Sequence, residues 1–321
     1  MAIVSGFASS PPSDRKLDMK CIFKCLGFIM LCVGLAGCGG GDAQEQAEVR
    51  VALALSNLRN PFFQELRDGA LAEAAKQGVA LTVLDAGDDP ARQSEQIAAL
   101  AKRRVAVILL NPVGAQAVTA AVRQAVAGGV KVVSLDRSLH GEPLSSHIES
   151  DNIAGGMLVG QYLMSRLGAR GRIAELTGTA GSSVAHDRDA GLRQALSGHA
   201  DAALLTRRGA DFDRGKGQRE MASLLRQYPD IRAVFAQNDE MALGAVAALR
   251  HAGRRNVAVV GFDAIPEAVA AVKAGELAAT VRQQPGLMGR YGIQAAKRLA
   301  AGQGVDTYIA VPLKLITQAD H

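Results

Sequence analysis

The stretch that decides the fold is AVFAQNDEMALG, from Ala233 to Gly244. Its first four residues form a short apolar run of strand length, which the polar triplet Gln237-Asn238-Asp239 interrupts. Apolar residues then return with helical spacing. A strand that ends in polar residues and turns directly into a helix places those residues at the carboxyl edge of a sheet, where open α/β sheets bind small ligands. The stretch therefore predicts an α/β fold with a binding site at this edge.

The same pattern recurs along the chain. It runs from a strand at Val49–Leu55 to a short strand near Ile148, which completes one alternating β/α domain, and it starts again with a helix at Ile153–Leu167. The periodicity predicts about eleven strands and about nine helices. The last of them are a helix at Leu287–Ala300 and a single strand at Val311–Ile316. This repetition favours two similar α/β lobes over one large sheet.

The composition is that of an α/β protein, and it sets aside several functions. The 321 residues suffice for two domains of ordinary size, 48% of them are apolar, and Trp is absent. The formal net charge is +5, but the lysines and arginines are dispersed, so we expect no nucleic-acid binding. All four cysteines precede residue 39. The remainder of the chain therefore has no thiol for a disulfide, a metal site or a nucleophile.

Residues 1–38 have the pattern of a secretory signal. Lys20 and Lys24 precede the apolar run Leu26–Leu35, which is too short to span a bilayer comfortably. The run ends in LAGC, which resembles a bacterial lipobox and predicts lipidation of Cys38 after cleavage before it. Cleavage of an ordinary signal peptide at a small residue is the alternative.

Two flanking segments complete the interpretation of this region. Met19 followed by Lys20 is a better signal start than the first residue, so residues 1–18 are candidates for an untranslated extension. Residues 39–48 are small, acidic or amide-bearing, which predicts a flexible tether. We expect a protein of the periplasm or cell envelope that is held to the membrane by the lipid alone.

Two apparent enzyme motifs do not meet the requirements of their chemistry. Gly209–Lys216 suggests a phosphate loop, but its glycines are one residue too far apart, and Gly217 stands where a magnesium-binding Ser or Thr is required. Ser182-Ser183 lies near His186, but no Gly-x-Ser-x-Gly motif is present. The histidines have no metal-ligand spacing. We therefore predict no catalytic residue, no metal, no cofactor and no enzymatic activity.

Side chains at the predicted strand ends form a candidate binding site. They comprise several amides, two carboxylates, two guanidiniums and four phenyl rings, with no evident nucleophile–base pair. Phenyl rings pack on the C–H faces of a sugar, while the polar groups meet its hydroxyls, so the set suits a neutral polyhydroxylated ligand. Its members are Asn60, Phe62, Phe63, Asn111, Asp136, Arg137, Ser150, Arg188, Phe212, Asn238, Phe262, Asp263 and Gln283.

Each member also has a purely structural interpretation. Acids and amides such as Asp136 and Asn238 can cap helices or satisfy loop backbone. Phe62 and Phe63 can belong to the core, and the two arginines can be solvated members of ion pairs. The residues alone therefore predict a pocket for a polar ligand between two α/β lobes.

At these residues the sequence resembles the periplasmic sugar-binding proteins of ABC importers. The resemblance covers residues 49–317 and rests on six stretches. They are NPFF at 60–63, LDR at 135–137, SHIESDN at 146–152, ADFDR at 210–214, VFAQNDEMALG at 234–244 and VGFD at 260–263.

The resemblance implies two Rossmann-like lobes with parallel sheets, joined by a three-stranded hinge. The hinge crossings would fall near Asn152, Gln283 and Pro312. The N-terminal lobe would comprise residues 49–151 and 284–311, and the C-terminal lobe residues 152–283 and 312–321.

The resemblance also implies roles for the site residues. Phe62 and Phe212 would enclose the sugar ring with Phe63 beside it, while Phe262 and Ser150 would line the pocket near the crossings. The hydroxyl-binding residues would be Asp136, Arg137, Arg188, Asn238, Asp263, Asn60 and Gln283. Thr179 departs from the family, because it stands where an apolar pocket residue is expected.

Together these features predict a monomeric extracytoplasmic solute-binding protein. It would capture a monosaccharide, ribose or a related pentose or hexose such as allose, and deliver it to an ABC transporter permease with its ATPase. A sugar or autoinducer-type receptor that feeds a chemotaxis or sensor-kinase partner is the alternative. A sugar-responsive repressor shares the two-lobed core, but it would require a DNA-binding segment where this chain has a signal.

Overall fold

The structure is a computed structural model that describes residues 49–139, 141–167, 171–197 and 202–320. The predicted signal, the lipidation site Cys38 and the tether lie outside these residues. Among the helices of the described ranges, none is both long enough and apolar enough to cross a membrane.

The first lobe is built on a six-stranded sheet in which every neighbouring pair is parallel. Its strands follow the order β2-β1-β3-β4-β5-β11. They are β1 (Val49–Leu55), β2 (Val79–Asp85), β3 (Val107–Leu110), β4 (Lys131–Leu135), β5 (Ser146–Ser150) and β11 (Tyr308–Val311). The helices of this lobe are α1 (Pro61–Gln77), α2 (Pro90–Lys102), α3 (Ala115–Ala127) and α9 (Pro285–Ala300).

The second lobe repeats this plan with a sheet in the order β7-β6-β8-β9-β10-β12, in which only β12 runs antiparallel. The strands are β6 (Gly171–Thr177), β7 (Ala202–Gly209), β8 (Ala233–Ala236), β9 (Ala258–Asp263), β10 (Ala279–Arg282) and β12 (Lys314–Thr317). The helices are α4 (Asn152–Leu167), α5 (Ser183–Leu196), α6 (Arg214–Gln227), α7 (Asp239–His251) and α8 (Pro266–Lys273), followed by a 3₁₀ turn at Gln318–Asp320.

The apolar strands account for the layered core. β3 and β8 are buried along their whole length, and β1 is buried from Val51 onward. Strands covered by helices on both faces are expected to be apolar throughout, as these are. Each lobe therefore carries two apolar clusters, one on each face of its sheet.

Helix starts at the sheet edge follow local capping rules. The Asn60 side chain accepts a hydrogen bond from the Phe62 amide at 2.9 Å, and Pro61 occupies the first position of α1. In the second lobe, the Asn238 side chain accepts from the Met241 amide at 3.0 Å and starts α7. The capping interpretation is therefore correct for Asn238, and Asn60 caps its helix in the same way, so capping fixes both side chains at the carboxyl edge of the strands.

The chain passes between the two sheets three times. The passages lie between β5 and α4, between β10 and α9, and between β11 and β12. Two α/β lobes with mostly parallel sheets, joined by three passages, confirm the predicted fold class. The exact lobe boundaries stay a prediction about which residues move together.

The C-terminal segment corrects one prediction. Instead of a single strand at Val311–Ile316, the structure has two strands, β11 and β12, which pair in different sheets. Pro312 separates them, and its ring nitrogen has no proton to donate to a strand ladder. The count within the described ranges is therefore twelve strands. The short helix α8 is a further element that the periodicity did not predict.

Candidate functional site

A cavity lies where the carboxyl edges of the two sheets face each other. Its walls contain ten of the fourteen predicted site residues, together with one that the sequence did not indicate. The lining residues are Asn60, Phe62, Phe63, Asp136, Arg137, Val184, Arg188, Phe212, Asn238, Asp263 and Gln283. Because both lobes contribute, the cavity is complete only when they are close together.

The two lobes are in a closed arrangement. The Ser138 amide of the first lobe donates to Ser183 Oγ of the second at 2.9 Å. The Arg137 guanidinium carbon lies 5.4 Å from the centre of the Phe212 ring, across the same gap. The cavity between the closed lobes is small, and about 20 Å³ of it can hold the centre of a water molecule. A ligand of one small ring therefore requires slight separation of the walls.

Phenyl rings from both lobes border the cavity. The Phe62 and Phe63 rings meet edge to face, with centroids 5.1 Å apart and planes at 86°. Both side chains are buried, so Phe62 and Phe63 belong to the core and also border the cavity. Phe212 lies opposite, with its ring packed on Gly178, where an added Cβ would be 1.9 Å from the ring. The rings thus provide apolar surfaces on two sides of the space.

Asp136 and Arg137 form the polar wall of the first lobe. Asn111 Nδ2 donates to Asp136 Oδ2 at 3.1 Å, and Arg137 Nε lies 3.8 Å from the same oxygen. Arg137 Nη1 donates to the Pro112 carbonyl at 3.1 Å. Burial raises the pKa of Asp136 and the neighbouring guanidinium opposes this rise, while burial lowers the pKa of Arg137. Asn111 therefore lies behind the cavity and orients the carboxylate.

Arg188 forms the corresponding wall of the second lobe. Its Nε donates to Asn152 Oδ1 at 2.9 Å, and its Nη1 donates to the Gln237 carbonyl at 2.5 Å. The guanidinium carbon lies 3.7 Å from the centre of the buried Phe262 ring. Burial lowers the pKa of Arg188. Arg188 is 2% exposed and Arg137 7%, so the interpretation of these arginines as solvated ion-pair members is wrong.

Asp263 is the second buried carboxylate at the cavity. Gln283 Nε2, from the passage after β10, donates to Asp263 Oδ1 at 2.7 Å. Burial raises the pKa of Asp263 to about 7, against the opposing effects of the Arg188 charge and the Gln283 hydrogen bond. The protonation of this carboxyl therefore changes within the physiological pH range.

Three residues of the cavity wall have a strained backbone. Asp136, Phe212 and Asp263 all have positive φ angles, of 63°, 58° and 124°. Such conformations are costly for residues with a side chain and tend to cluster at binding sites, where the surrounding structure maintains them. These conformations lower the stability of the fold but direct two carboxylates and one ring toward the cavity.

Two buried polar atoms at the cavity have no hydrogen-bond partner within the described part of the chain. They are Arg137 Nε, a donor, and Gln283 Oε1, an acceptor. An unsatisfied buried polar atom is costly, so each requires a partner. A ligand that both accepts and donates hydrogen bonds, as a hydroxyl does, would satisfy both.

Four predicted site residues lie away from the cavity wall. Asn111, Ser150 and Phe262 are fully buried behind it. Thr179 lines a neighbouring depression together with Gly181 and His186.

Val184 is the lining residue that the sequence analysis missed. It occupies the second position of α5 and is 2% exposed. An apolar residue at the start of a helix has the same pattern as a core residue, so no local signal distinguishes it. Within the described ranges, no group of three or more His, Cys, Asp or Glu side chains could hold a metal ion.

The fold and the cavity together define a class of protein. Two α/β lobes that close on a space bordered by phenyl rings, guanidiniums and carboxylates define a bilobed binding protein for one small polar ligand. The comparison with known proteins gives the family. Residues 51–304 match the family model described as a periplasmic binding protein domain, and the chain belongs to this family. The resemblance stated from the motifs is therefore confirmed.

Individual relatives are similar over most of their length. The chain is 43% identical to the ribose import binding protein RbsB of Salmonella typhimurium over 275 residues, which cover 86% of this chain and 93% of the relative. Among solved structures, an ABC transporter solute-binding protein of Mycobacterium smegmatis with bound glycerol has a TM-score of 0.82 at 35% identity, covering 85% and 95% of the two chains. A solute-binding protein of Actinobacillus succinogenes with bound D-allose has a TM-score of 0.79 at 26% identity, covering 85% and 98%.

Proposed function

We propose that this protein captures one monosaccharide, ribose or a close relative such as allose, and presents it to the permease of an ABC importer. The observation that carries the proposal is the unsatisfied pair Arg137 Nε and Gln283 Oε1 in a cavity bordered by phenyl rings. The ribose import relative at 43% identity and the D-allose-bound neighbour support the same ligand class.

The proposed mechanism is a population shift. Phe62 and Phe212 present apolar faces to the ring C–H groups, while Asp136 and Asp263 accept from hydroxyls and the two arginines donate to them. The sugar contacts both lobes only when they are closed, so its binding energy favours the closed state. We propose that no covalent step follows, since the cavity contains no nucleophile–base pair, and that the closed lobes are recognised by the permease.

Calorimetric titration of the chain from residue 39 onward tests the ligand. The panel is ribose, allose, xylose, arabinose, galactose and glucose. We expect at least one of ribose and allose to bind with micromolar affinity or better, which corresponds to about 8 kcal/mol. Recovery of the sugar unchanged after long incubation checks the absence of catalysis. Lack of binding to every sugar would refute the proposed ligand class.

The affinity should depend on pH through Asp263. Hydroxyls that donate to its carboxylate favour the ionised form, whereas burial in the closed, ligand-free cavity raises its pKa to about 7. Binding of the sugar to the closed lobes therefore favours release of a proton below pH 7, and the affinity should rise as the pH rises. We expect Kd to be up to about tenfold higher at pH 6 than at pH 8, because about one tenth of the carboxyl is ionised one pH unit below this pKa.

Titration at pH 6, 7 and 8 measures this dependence. Asp263→Asn keeps the shape of the side chain and removes the titration. Its Kd should be higher than that of the wild type at each pH and change less than twofold over this range. An unchanged tenfold slope in this variant would assign the titration to another group.

We further propose that the chain is anchored through a lipid on Cys38, which lies outside the described residues. The support is the LAGC sequence at residues 35–38. Incorporation of labelled fatty acid into the wild type but not into Cys38→Ser would agree with the anchor. Cleavage of the wild type without labelling would favour the ordinary signal peptide.

The receptor alternative uses the same closed state. Deletion of the protein should abolish sugar uptake if it serves an importer. Loss of the chemotactic or sensor-kinase response with unchanged uptake would favour the receptor role.

A further inference from the structure

Two fully buried polar residues lie behind the second lobe's cavity wall without touching the cavity. Glu175 lies in the middle of β6, and Gln237 directly follows β8; both are 0% exposed. Buried charged and amide side chains are costly unless hydrogen bonds satisfy them. Neither residue lines the cavity, so ligand contact does not explain why they are polar.

Gln237 bonds to two parts of the cavity wall. Its backbone carbonyl accepts from Arg188 Nη1 at 2.5 Å. Its side-chain Oε1 accepts from the Gly178 amide at 2.8 Å. Gly178 is the residue on which the Phe212 ring packs. One residue thus holds both the guanidinium and the backbone that supports the ring.

Glu175 determines which way the Gln237 amide points. Gln237 Nε2 donates to Glu175 Oε1 at 2.7 Å and to the Ala185 carbonyl at 2.9 Å. With both acceptors on the nitrogen side, the amide oxygen is directed at the Gly178 amide. Loss of either acceptor would allow the amide to rotate and would leave a buried donor unpaired.

Burial and the neighbouring Asp189 carboxylate keep the carboxyl of Glu175 neutral. Burial, together with the Asp189 carboxylate of α5, raises the pKa of Glu175 to about 8, although the Gln237 hydrogen bond and the Arg207 charge oppose this rise. Arg207 Nε of β7 lies 3.5 Å from Glu175 Oε2 and 3.1 Å from Asp189 Oδ1. Arg193 Nε also donates to Asp189, at 2.9 Å. Below pH 8 the side chain is therefore a neutral acid, which glutamine can imitate.

We propose that Gln237, oriented by Glu175, is a positioning residue. It keeps Arg188 and the Gly178 backbone, on which the Phe212 ring packs, in the positions that ligand binding requires. This inference rests on the proposed function for its affinity readout. The two residues act through Arg188 and Phe212 and make no contact with the sugar themselves.

Four variants test the proposal at pH 7 with ribose and allose as probes. Gln237→Leu removes the amide, and Glu175→Leu removes the acceptor that orients it. We expect Kd to rise about tenfold or more in both variants, because the Gly178 amide loses the hydrogen bond that fixes the cavity wall. Glu175→Gln should restore Kd to within about twofold of the wild type. Glu73→Leu, on the outer helix α1, is the matched control, because Glu73 is 5% exposed and bonded to Gln77 and Gln294 but lies away from the cavity. It should lower stability and leave Kd unchanged.

Crystal structures of the leucine variants give a readout that needs no ligand. Displacement of the Gly178 backbone and of the Phe212 ring is expected, while Arg188 keeps an acceptor in the Gln237 backbone carbonyl, which these substitutions leave in place. A Gln237→Leu protein with unchanged Kd, or with the Gly178 backbone and the Phe212 ring in place, would overturn the proposal. If the wild type binds no sugar, the proposed function fails, and the crystal structures alone decide the positioning role. If Gln237→Leu does not fold, the comparison of Glu175→Leu with Glu175→Gln decides it.

Discussion

Arg188→Met should lower the affinity for the sugar by about 10³-fold, or about 4 kcal/mol, which is within the range found when one member of a buried charged pair is removed. The substitution removes the donor that faces the ligand. It also leaves Asn152 Oδ1 and the Gln237 carbonyl without their buried donor. Without the guanidinium, the opposing charge that lowers the pKa of Asp263 is lost. The remaining carboxylates therefore become harder to ionise at neutral pH.

The measurement is calorimetric titration beside a thermal unfolding curve, because Arg188 also links α5 to the first passage between the lobes. Arg166→Met, at the exposed end of α4, is the matched control and should bind as the wild type does. Arg188→Lys keeps a cation if the methionine variant is unstable, and it should still bind at least about tenfold more weakly, since an ammonium cannot reproduce the planar guanidinium. A folded Arg188→Met protein with Kd within tenfold of the wild type would contradict the assigned role.

Gly178→Ala should weaken sugar binding by about 10²-fold although it changes no polar group. An added Cβ would lie 1.9 Å from Phe212 Cζ and 2.3 Å from two further ring atoms. The ring must therefore move, and the strained backbone of Phe212, with φ 58°, leaves few alternative positions. Displacement of the ring removes the apolar face that the second lobe offers to the sugar. Complete burial of a phenylalanine side chain is worth about 1.5–3 kcal/mol, and a bound sugar would bury the partly exposed Phe212 ring further.

A double-mutant cycle distinguishes this steric cause from general damage. Phe212→Leu shortens the side chain, so Gly178→Ala should add less than about threefold in that background. Gly304→Ala is the control, because no atom lies within 4 Å of the Cβ position and the backbone needs no positive φ there. Equal effects of Gly178→Ala in the two backgrounds would show that it does not act through the ring.

The candidate site could be predicted in part because polar residues at the carboxyl ends of parallel strands lie together at one edge of the sheet. Asp136 and Asn238 follow apolar strands, Asp263 is the last residue of another, and parallel strands bring their carboxyl ends to one edge. Thr179 lines a neighbouring depression, while Val184 contributes to the cavity wall, and the role of Thr179 in binding stays a prediction. A loop of small residues does not reveal from its sequence which side chain faces inward.

The local sequence also does not indicate that Glu175 and Gln237 support the cavity wall. Glu175 sits beside the buried apolar residues Ala174 and Leu176 of its strand, and its partners Gln237 and Asp189 come from other elements. Nothing near it in the sequence shows that it will be neutral and bonded. The pairing emerges only when β6, β8 and α5 are packed together.

The amino-acid sequence by itself determined most of the elements, the repetition of the α/β pattern and the family. Apolar periodicity, helix starts at proline and asparagine, and short motifs all depend on residues that are close together in the chain. The tertiary structure alone decided which sheet each strand joins. β11 and β12 are separated by two residues, yet one pairs with β5 and the other with β10. Strand pairing depends on groups far apart in the chain, and the same long-range packing buried the two carboxylates of the cavity and shifted the pKa of Asp263 to about 7.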